Sequence, residues 1–166
     1  MTLNKIEIIS YASSYHSELL RLLLGLHSTY FTETSSDQIQ EVRQDKDMNK
    51  SYEGYLDMIE NNKDSSWQVF LAKTNSSNIV GFIIGSISID EELVLSKTGT
   101  IEDWFVEQEF RQHGIGMQLY NELERWFIEK GCKQVQSDTW QGNQLSIKAH
   151  QQLGFFISGI KFSKRL

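Results

Sequence analysis

From Trp104 to Glu129 the chain passes from an extended apolar segment, through Arg111-Gln112-His113-Gly114-Ile115-Gly116, into an amphipathic helix. This order constrains the fold more than any other feature. A strand that feeds a glycine-bearing loop, and a loop that opens a helix, belong to an α/β domain. Such a loop presents several backbone N–H groups to one anion, and the helix start adds unpaired N–H groups and a partial positive charge. Gly114 and Gly116 lack side chains, which lets a phosphate approach the backbone. Arg111 adds a permanent cation with planar donors. The segment reads as a pyrophosphate cradle.

Two common cradles are excluded. A Walker loop needs Lys-Ser or Lys-Thr after its last glycine, and Gly116 is followed by Met117. The dinucleotide fingerprint needs a third glycine where this chain has Leu119. What is left is Arg-x-x-Gly-x-Gly after a strand ending in Val106. One helix and one strand later comes a second block: Asn143, Ser146 and His150, closing in Gly154-Phe155. The positions i, i+3 and i+7 share one helix face. Alone, a Gly-x-Gly is an ordinary tight turn. Together the two blocks resemble the coenzyme A loop and the following Asn helix of the GCN5-related N-acetyltransferases, the GNAT superfamily. The likeness covers roughly residues 98–166, and the first half matches only in pattern. The chain departs from the family in having Gln108 for a frequent Pro and His150 for a frequent Tyr.

The element pattern agrees. Residues 6–11 alternate as a strand, and Ser13 or Ser14 can cap a leucine-rich helix through Leu26. The polar run from Phe31 to Asp47 reads as a loop, and 50–61 as a second helix with Tyr52, Tyr55, Leu56 and Ile59 at helical spacing. Strands follow at 67–72, 79–89 and 98–106, with Asn75 to Asn78 as a turn. A helix from the loop to Gly131, a strand at 133–139, a helix at 143–153 and a terminal hairpin of 155–157 with 160–162 complete a single domain over 1–166. The resemblance implies the GNAT fold: a mixed, mostly antiparallel sheet, two splayed parallel central strands ending at Val106 and Thr139, and flanking helices.

The resemblance also implies a chemistry. Acetyl-CoA is the cosubstrate, held at Arg111, Gln112, His113, Gly114, Ile115 and Gly116, with Asn143 and Ser146 on its pantetheine arm. His113 equally suits a solvated turn. A backbone amide at Phe105 or Val106 polarises the thioester carbonyl. His150 takes the place of the family's Tyr beside the departing sulfur, as a proton or hydrogen-bond donor; a His near a helix C-terminus is also favoured by the dipole alone. Glu102 and Asp103 fall on opposite strand faces by alternation, so one of them faces the cleft. Either of these, or Asp138 at the end of the partner strand, would grip an ammonium group or take its proton. Trp104 and Trp140 would wall the acceptor site, or fill the core.

Ser137-Asp138-Thr139, His150 and the segment before the loop resemble the aminoglycoside 6′-N-acetyltransferases, with Asp103 where that group has Gly. The expected reaction is direct acetyl transfer to a primary amine of a small cationic acceptor, an aminoglycoside in this reading and a matter of antibiotic resistance. A polyamine or a protein amino terminus is the alternative acceptor, and a non-catalytic coenzyme A-binding module the alternative class. The formal charge of −6 suits a cationic acceptor and, as readily, plain solubility. No basic cluster suggests nucleic acid. No His and carboxylate spacing suggests a metal. The lone Cys132 excludes an internal disulfide, and no apolar run reaches membrane-spanning length, so no membrane partner and a cytoplasmic location are expected. A homodimer stays open.

Overall fold

A computed structural model describes residues 5–33, 47–139 and 142–160. Five strands, β1 (Ile6–Ser10), β2 (Trp67–Thr74), β3 (Ile79–Ile89), β4 (Lys97–Val106) and β5 (Gln134–Ser137), lie in the order β1-β2-β3-β4-β5. The first three pairings are antiparallel, and β4 with β5 is parallel. Helices α1 (His16–Glu33) and α2 (Met48–Glu60) cover one face, and α3 (Ile115–Glu129) the other, with α4 (Gln144–Gln152) after β5.

The period-2 pattern sorts the apolar side chains into two cores. Val69, Leu71, Phe82, Ile84 and Phe105 pack under Leu19, Leu22, Leu23, Leu56 and Ile59. Phe70, Ala72, Val80, Ile83 and Ile101 pack under Ile115, Leu119, Tyr120, Leu123 and Phe127. Coverage on both faces explains why β3 is buried from Ile79 through Gly85 without a polar alternate. Helix α3 approaches the sheet closely. A Cβ on Gly85 would lie 2.6 Å from Leu123, and one on Gly99 would lie 2.5 Å from Phe127.

Several boundaries differ from the sequence reading. Helix α1 runs on to Glu33, past the expected loop start at Phe31, and residues 34–46 lie outside the described residues. Ser13 and Ser14 belong to a 3-10 turn and do not cap α1. Asp47 caps α2 by accepting from the Lys50 amide at 3.1 Å. Strand β5 is shorter than 133–139, because its partner turns away. The ladder runs from Thr98 with Gln134 to Ile101 with Ser137, where it stops. Residues 155–160 form no strand, so the first arm of the expected hairpin is absent; residues 161 and 162 lie outside the described residues.

Candidate active site

The gap opens where the β4–β5 ladder ends. The β3–β4 register pairs Ile84 with Asp103 and Gly85 with Ile101, so Glu102 is an extra residue, a β-bulge. The amide of Glu107 donates to the Val80 carbonyl at 2.9 Å. Antiparallel alternation then commits the Phe105 amide to its partner Phe82, and turns the Trp104 and Val106 amides away from β3 into the gap. Of the two amides expected from sequence as carbonyl donors, Phe105 is therefore consumed by the sheet and Val106 is available. Among the described residues no acceptor takes the Val106 amide.

A cavity of about 580 Å³ lies beside this edge. Trp104, Phe105 and Val106 form one wall. Phe110, Arg111, Gln112, Gly114, Ile115 and Gly116 form the second, and residues 142–146 with Ala149 the third. Gln112 (φ 65°) and Gly114 (φ 75°) both take left-handed backbone, which turns the chain sharply into α3. Gly114 is the residue type for that conformation. Gly116 has a different reason: a Cβ there would sit 3.1 Å from Trp104. Among the described residues no acceptor takes the amides of Gln112, His113, Gly114, Ile115, Gly116 or Met117. The next one, Gln118, donates to the Gly114 carbonyl at 3.1 Å and starts the helical ladder. Six consecutive unpaired donors at a helix N-terminus make an anion seat.

Arg111 is anchored as well as charged. Its Nε donates to the Val106 carbonyl at 2.9 Å, and its guanidinium lies 5.6 Å from the Phe105 ring centre. It ties the loop to the end of β4. His113 is exposed and does not line the cavity. Asn143 does line it, with its side-chain oxygen occupied in capping α4 through the Ser146 amide at 3.0 Å. The amide nitrogen is the group left for a ligand. Ser146 lines the cavity too.

His150 stands behind that wall. Its Nδ1 donates to the Ser146 carbonyl at 2.8 Å, and its Nε2 lies 2.9 Å from Ser137 Oγ. The ring packs edge-on against Trp104 and Phe155. Ser137, the last paired residue of β5, is thus a partner of the imidazole that sequence spacing did not disclose.

The acids are arranged differently from the alternation expected. Both Glu102 and Asp103 point to the α1/α2 face, because the bulge takes up the phase of one residue. Glu102 accepts a hydrogen bond from the hydroxyl of Ser86, which lies across from Trp67 on that face. Asp103 shares this face with Tyr55 of α2. Burial pushes Asp103 above the usual carboxylate range, the nearby Tyr55 hydroxyl opposes this, and the charge of Glu102 adds to it. Burial and Asp103 push Tyr52 up to about 12 and Tyr55 beyond the usual phenol range. Asp138 is exposed just past β5, with no hydrogen-bond or ionic partner among the described residues. Trp104 lines the cavity and also packs under α3 against Tyr120 and His150. Trp140 lies outside the described residues.

Among the described residues there is no group of three or more His, Cys, Asp or Glu that could hold a metal, and no helix is long and apolar enough to cross a membrane. Over 55 residues the chain is 46% identical to an aminoglycoside N(6′)-acetyltransferase type 1 of Salmonella typhimurium, a match covering 33% of this chain and 38% of that protein. The chain thus spans well under half the length of that curated relative. It superposes on aminoglycoside N-acetyltransferase AAC(6′)-Iy in complex with CoA with a TM-score of 0.77, 23% identity, and coverage of 98% of this chain and 95% of that one. On the same enzyme with the bisubstrate analogue CoA-S-monomethyl-acetylneamine the TM-score is 0.72, with 25% identity and coverage of 98% and 99%. The family model described as the acetyltransferase (GNAT) family matches residues 24–155, and with the parted strands and the open amide loop in the same span, the chain belongs to that family.

Proposed function

We propose that the protein is an acetyl-CoA-dependent N-acetyltransferase acting on a primary amine of a small cationic acceptor, with aminoglycosides as the leading class. The observation that carries this reading is the unpaired amides of Gln112, Gly114, Ile115 and Gly116, residues that line the same cavity as Val106. The loop holds the diphosphate, Arg111 adds its cation, and Asn143 and Ser146 meet the pantetheine arm. The thioester then lies between the parted strands with its carbonyl oxygen on the Val106 amide. A fixed N–H there stabilises the charge that develops during attack. The relatives named for aminoglycoside N-acetylation, and the neighbour bound to a CoA–neamine conjugate, support the acceptor class.

The transfer is direct. The acceptor arrives as an ammonium ion held by Glu102 and Asp103, with Asp138 at the other side of the gap. A carboxylate takes one proton, directly or through water, and frees the nitrogen lone pair. The C–N bond forms as the C–S bond breaks. The thiolate leaves with the sulfur's electron pair and is protonated, so that ammonium and thioester become amide, thiol and one released proton. For His150 to meet the thiolate, its Nε2 must exchange the Ser137 hydroxyl for the sulfur.

The test is thiol release from acetyl-CoA against a panel of neamine, spermidine and a peptide amino terminus. Release with neamine supports the reading, and release only with spermidine or the peptide moves the acceptor to those classes. Coenzyme binding in calorimetry without release against any amine indicates a non-catalytic module. Arg111→Ala should weaken acetyl-CoA binding about tenfold or more, the scale of a lost charged hydrogen bond; an unchanged Kd removes the cradle assignment.

A further inference from the structure

We propose that the face of α1 formed by Leu26 and Thr29 gauges the acyl chain of the donor: it meets the acyl carbon next to the thioester carbonyl, admits acetyl-CoA and turns away longer acyl-CoAs. The inference rests on the N-acetyltransferase reading and adds a specificity determinant to it.

Elimination leads to this wall. The carbonyl carbon of a thioester carries oxygen, sulfur and the acyl carbon in one plane. On the proposed reading the oxygen sits on the Val106 amide at the β4 edge. The loop holds the diphosphate, and the sulfur arrives from the coenzyme arm along Asn143 and Ser146. What is left of the cavity lining is α1, through Leu26 and Thr29. The acyl carbon points away from both oxygen and sulfur, and so toward these two residues. They stand at i and i+3 on one helix face, and the Leu26 side chain is an apolar partner for a methyl group.

The wall is also fixed, which a gauge requires. Leu22 of the same helix is buried in the first core, and Leu26 packs against that core. Helix α1 rests on the Phe105 ring: a Cβ on Gly25 would stand in ordinary contact with it, at 3.7 Å. That ring is buried, its centre is 6.2 Å from that of Phe82, and the Arg111 guanidinium lies 5.6 Å from it. A close-packed wall does not retreat for an extra methylene without strain. Behind it lies a second cavity of about 390 Å³, which shares Thr29 and Phe105 with the first. Room for a longer chain therefore exists on this side of the molecule, and the wall parts it from the thioester.

The experiment compares acetyl-, propionyl- and butyryl-CoA in wild type, Leu26→Ala and Thr29→Ala. Calorimetry gives the Kd of each thioester, with coenzyme A itself as the folding control, and thiol release with neamine gives kcat/KM for each donor and the neamine KM. Wild type should lose about tenfold or more in kcat/KM for each methylene added, and should bind butyryl-CoA about tenfold or more weaker than acetyl-CoA. Leu26→Ala cuts the wall back to a methyl group and should bring butyryl-CoA to within about threefold of acetyl-CoA in both readouts. Thr29→Ala removes less and disturbs the core less, and should move the preference in the same direction. Equal use of acetyl- and butyryl-CoA by wild type would overturn the inference. So would variants that change the neamine KM and leave the acyl preference where it was, a result that gives the wall to the acceptor. Should wild type acetylate no amine at all, the proposed function fails by itself, and the ratio of butyryl-CoA to acetyl-CoA binding in wild type and the two variants still decides the role of the wall.

Discussion

Gly99→Ala tests how closely α3 is seated on the sheet. Gly99 pairs with Ile87 on one side and Val135 on the other, and a Cβ there would lie 2.5, 2.7 and 2.7 Å from three ring carbons of Phe127. Carbon atoms in good contact stand about 3.5–4.0 Å apart, so the ring must retreat by roughly an ångström. It has little room, since Phe127 is 1% exposed and Leu123 one turn before it is 0% exposed. Gly85 offers no escape either, because its own missing side chain is occupied by the same ring and by Leu123. Overpacking of this kind costs about 1–3 kcal/mol, and a domain of this size loses roughly 2–4 °C of Tm per kcal/mol. We therefore expect a fall of about 3–10 °C in calorimetric Tm. The phosphate loop lies at the other end of α3, about 18 Å from Phe127 at the helical rise, so acetyl-CoA affinity should change little. Phe127→Leu would cost stability alone yet partly rescue Gly99→Ala by vacating the space. A Tm within about 1 °C of wild type, or strict additivity of the two substitutions, would refute the packing argument.

Two further outcomes follow from the hydrogen bonds. His16 joins α1 to α2 by contacts with Glu53 at 2.8 Å and Glu60 at 2.9 Å; the Glu60 and Glu53 hydrogen bonds raise its pKa above 6.5, and the Tyr11 and His16 bonds lower that of Glu60 below 4.5. The His16 contribution is thus complete below its unfolded value and lost as pH climbs through the raised one, and the Glu60 contribution is lost as pH drops through its lowered value. His16→Gln should therefore cost most between these limits, below about 1 kcal/mol for so exposed a cluster, and little at pH 9; a urea-melt penalty independent of pH from 6 to 9 would contradict it. His150→Phe should lower kcat about tenfold or more, with acetyl-CoA Kd nearly unchanged, and steady-state kinetics showing full kcat would reduce His150 to a packing piece between Trp104, Phe155 and Ser137.

The anion seat was legible in the sequence because its parts are local. A strand, two glycines and a helix start lie within a few residues, and the donors are main chain. The second block was legible for the same reason, as a single helix face. The acids were not. Alternation places Glu102 and Asp103 on opposite faces, and one unannounced extra residue in β4 puts them on the same one. Tyr52 and Tyr55 showed helical spacing, and both pack against the core under α1 and α2. His150 was read as sharing a helix face with Asn143 and Ser146, and its contact with Ser137 depends on where β5 ends, which is a property of the ladder and not of the segment. Gly116 was read as room for phosphate, and a Cβ there would also meet Trp104 at 3.1 Å, a contact the sequence did not show.

The bulge at Glu102 also explains why the site stands where it does. The parallel ladder ends at Ile101 and Ser137, immediately before the extra residue. A bulged strand bends and twists more strongly than a regular one, so β4 leaves its partner there and exposes the edge that carries the Trp104 and Val106 amides. The same residue sets Glu102 beside Asp103 on the face of α2. On the proposed reading, acyl donor and ammonium are addressed from one short stretch of one strand, main chain on the edge and carboxylates on the face. If the extra residue were deleted, Asp103 and Phe105 would keep their face but the ladder would lose its reason to stop, and β5 could continue pairing along the edge that the thioester carbonyl needs. The site as proposed therefore depends on the bulge more than on either of the acidic side chains beside it.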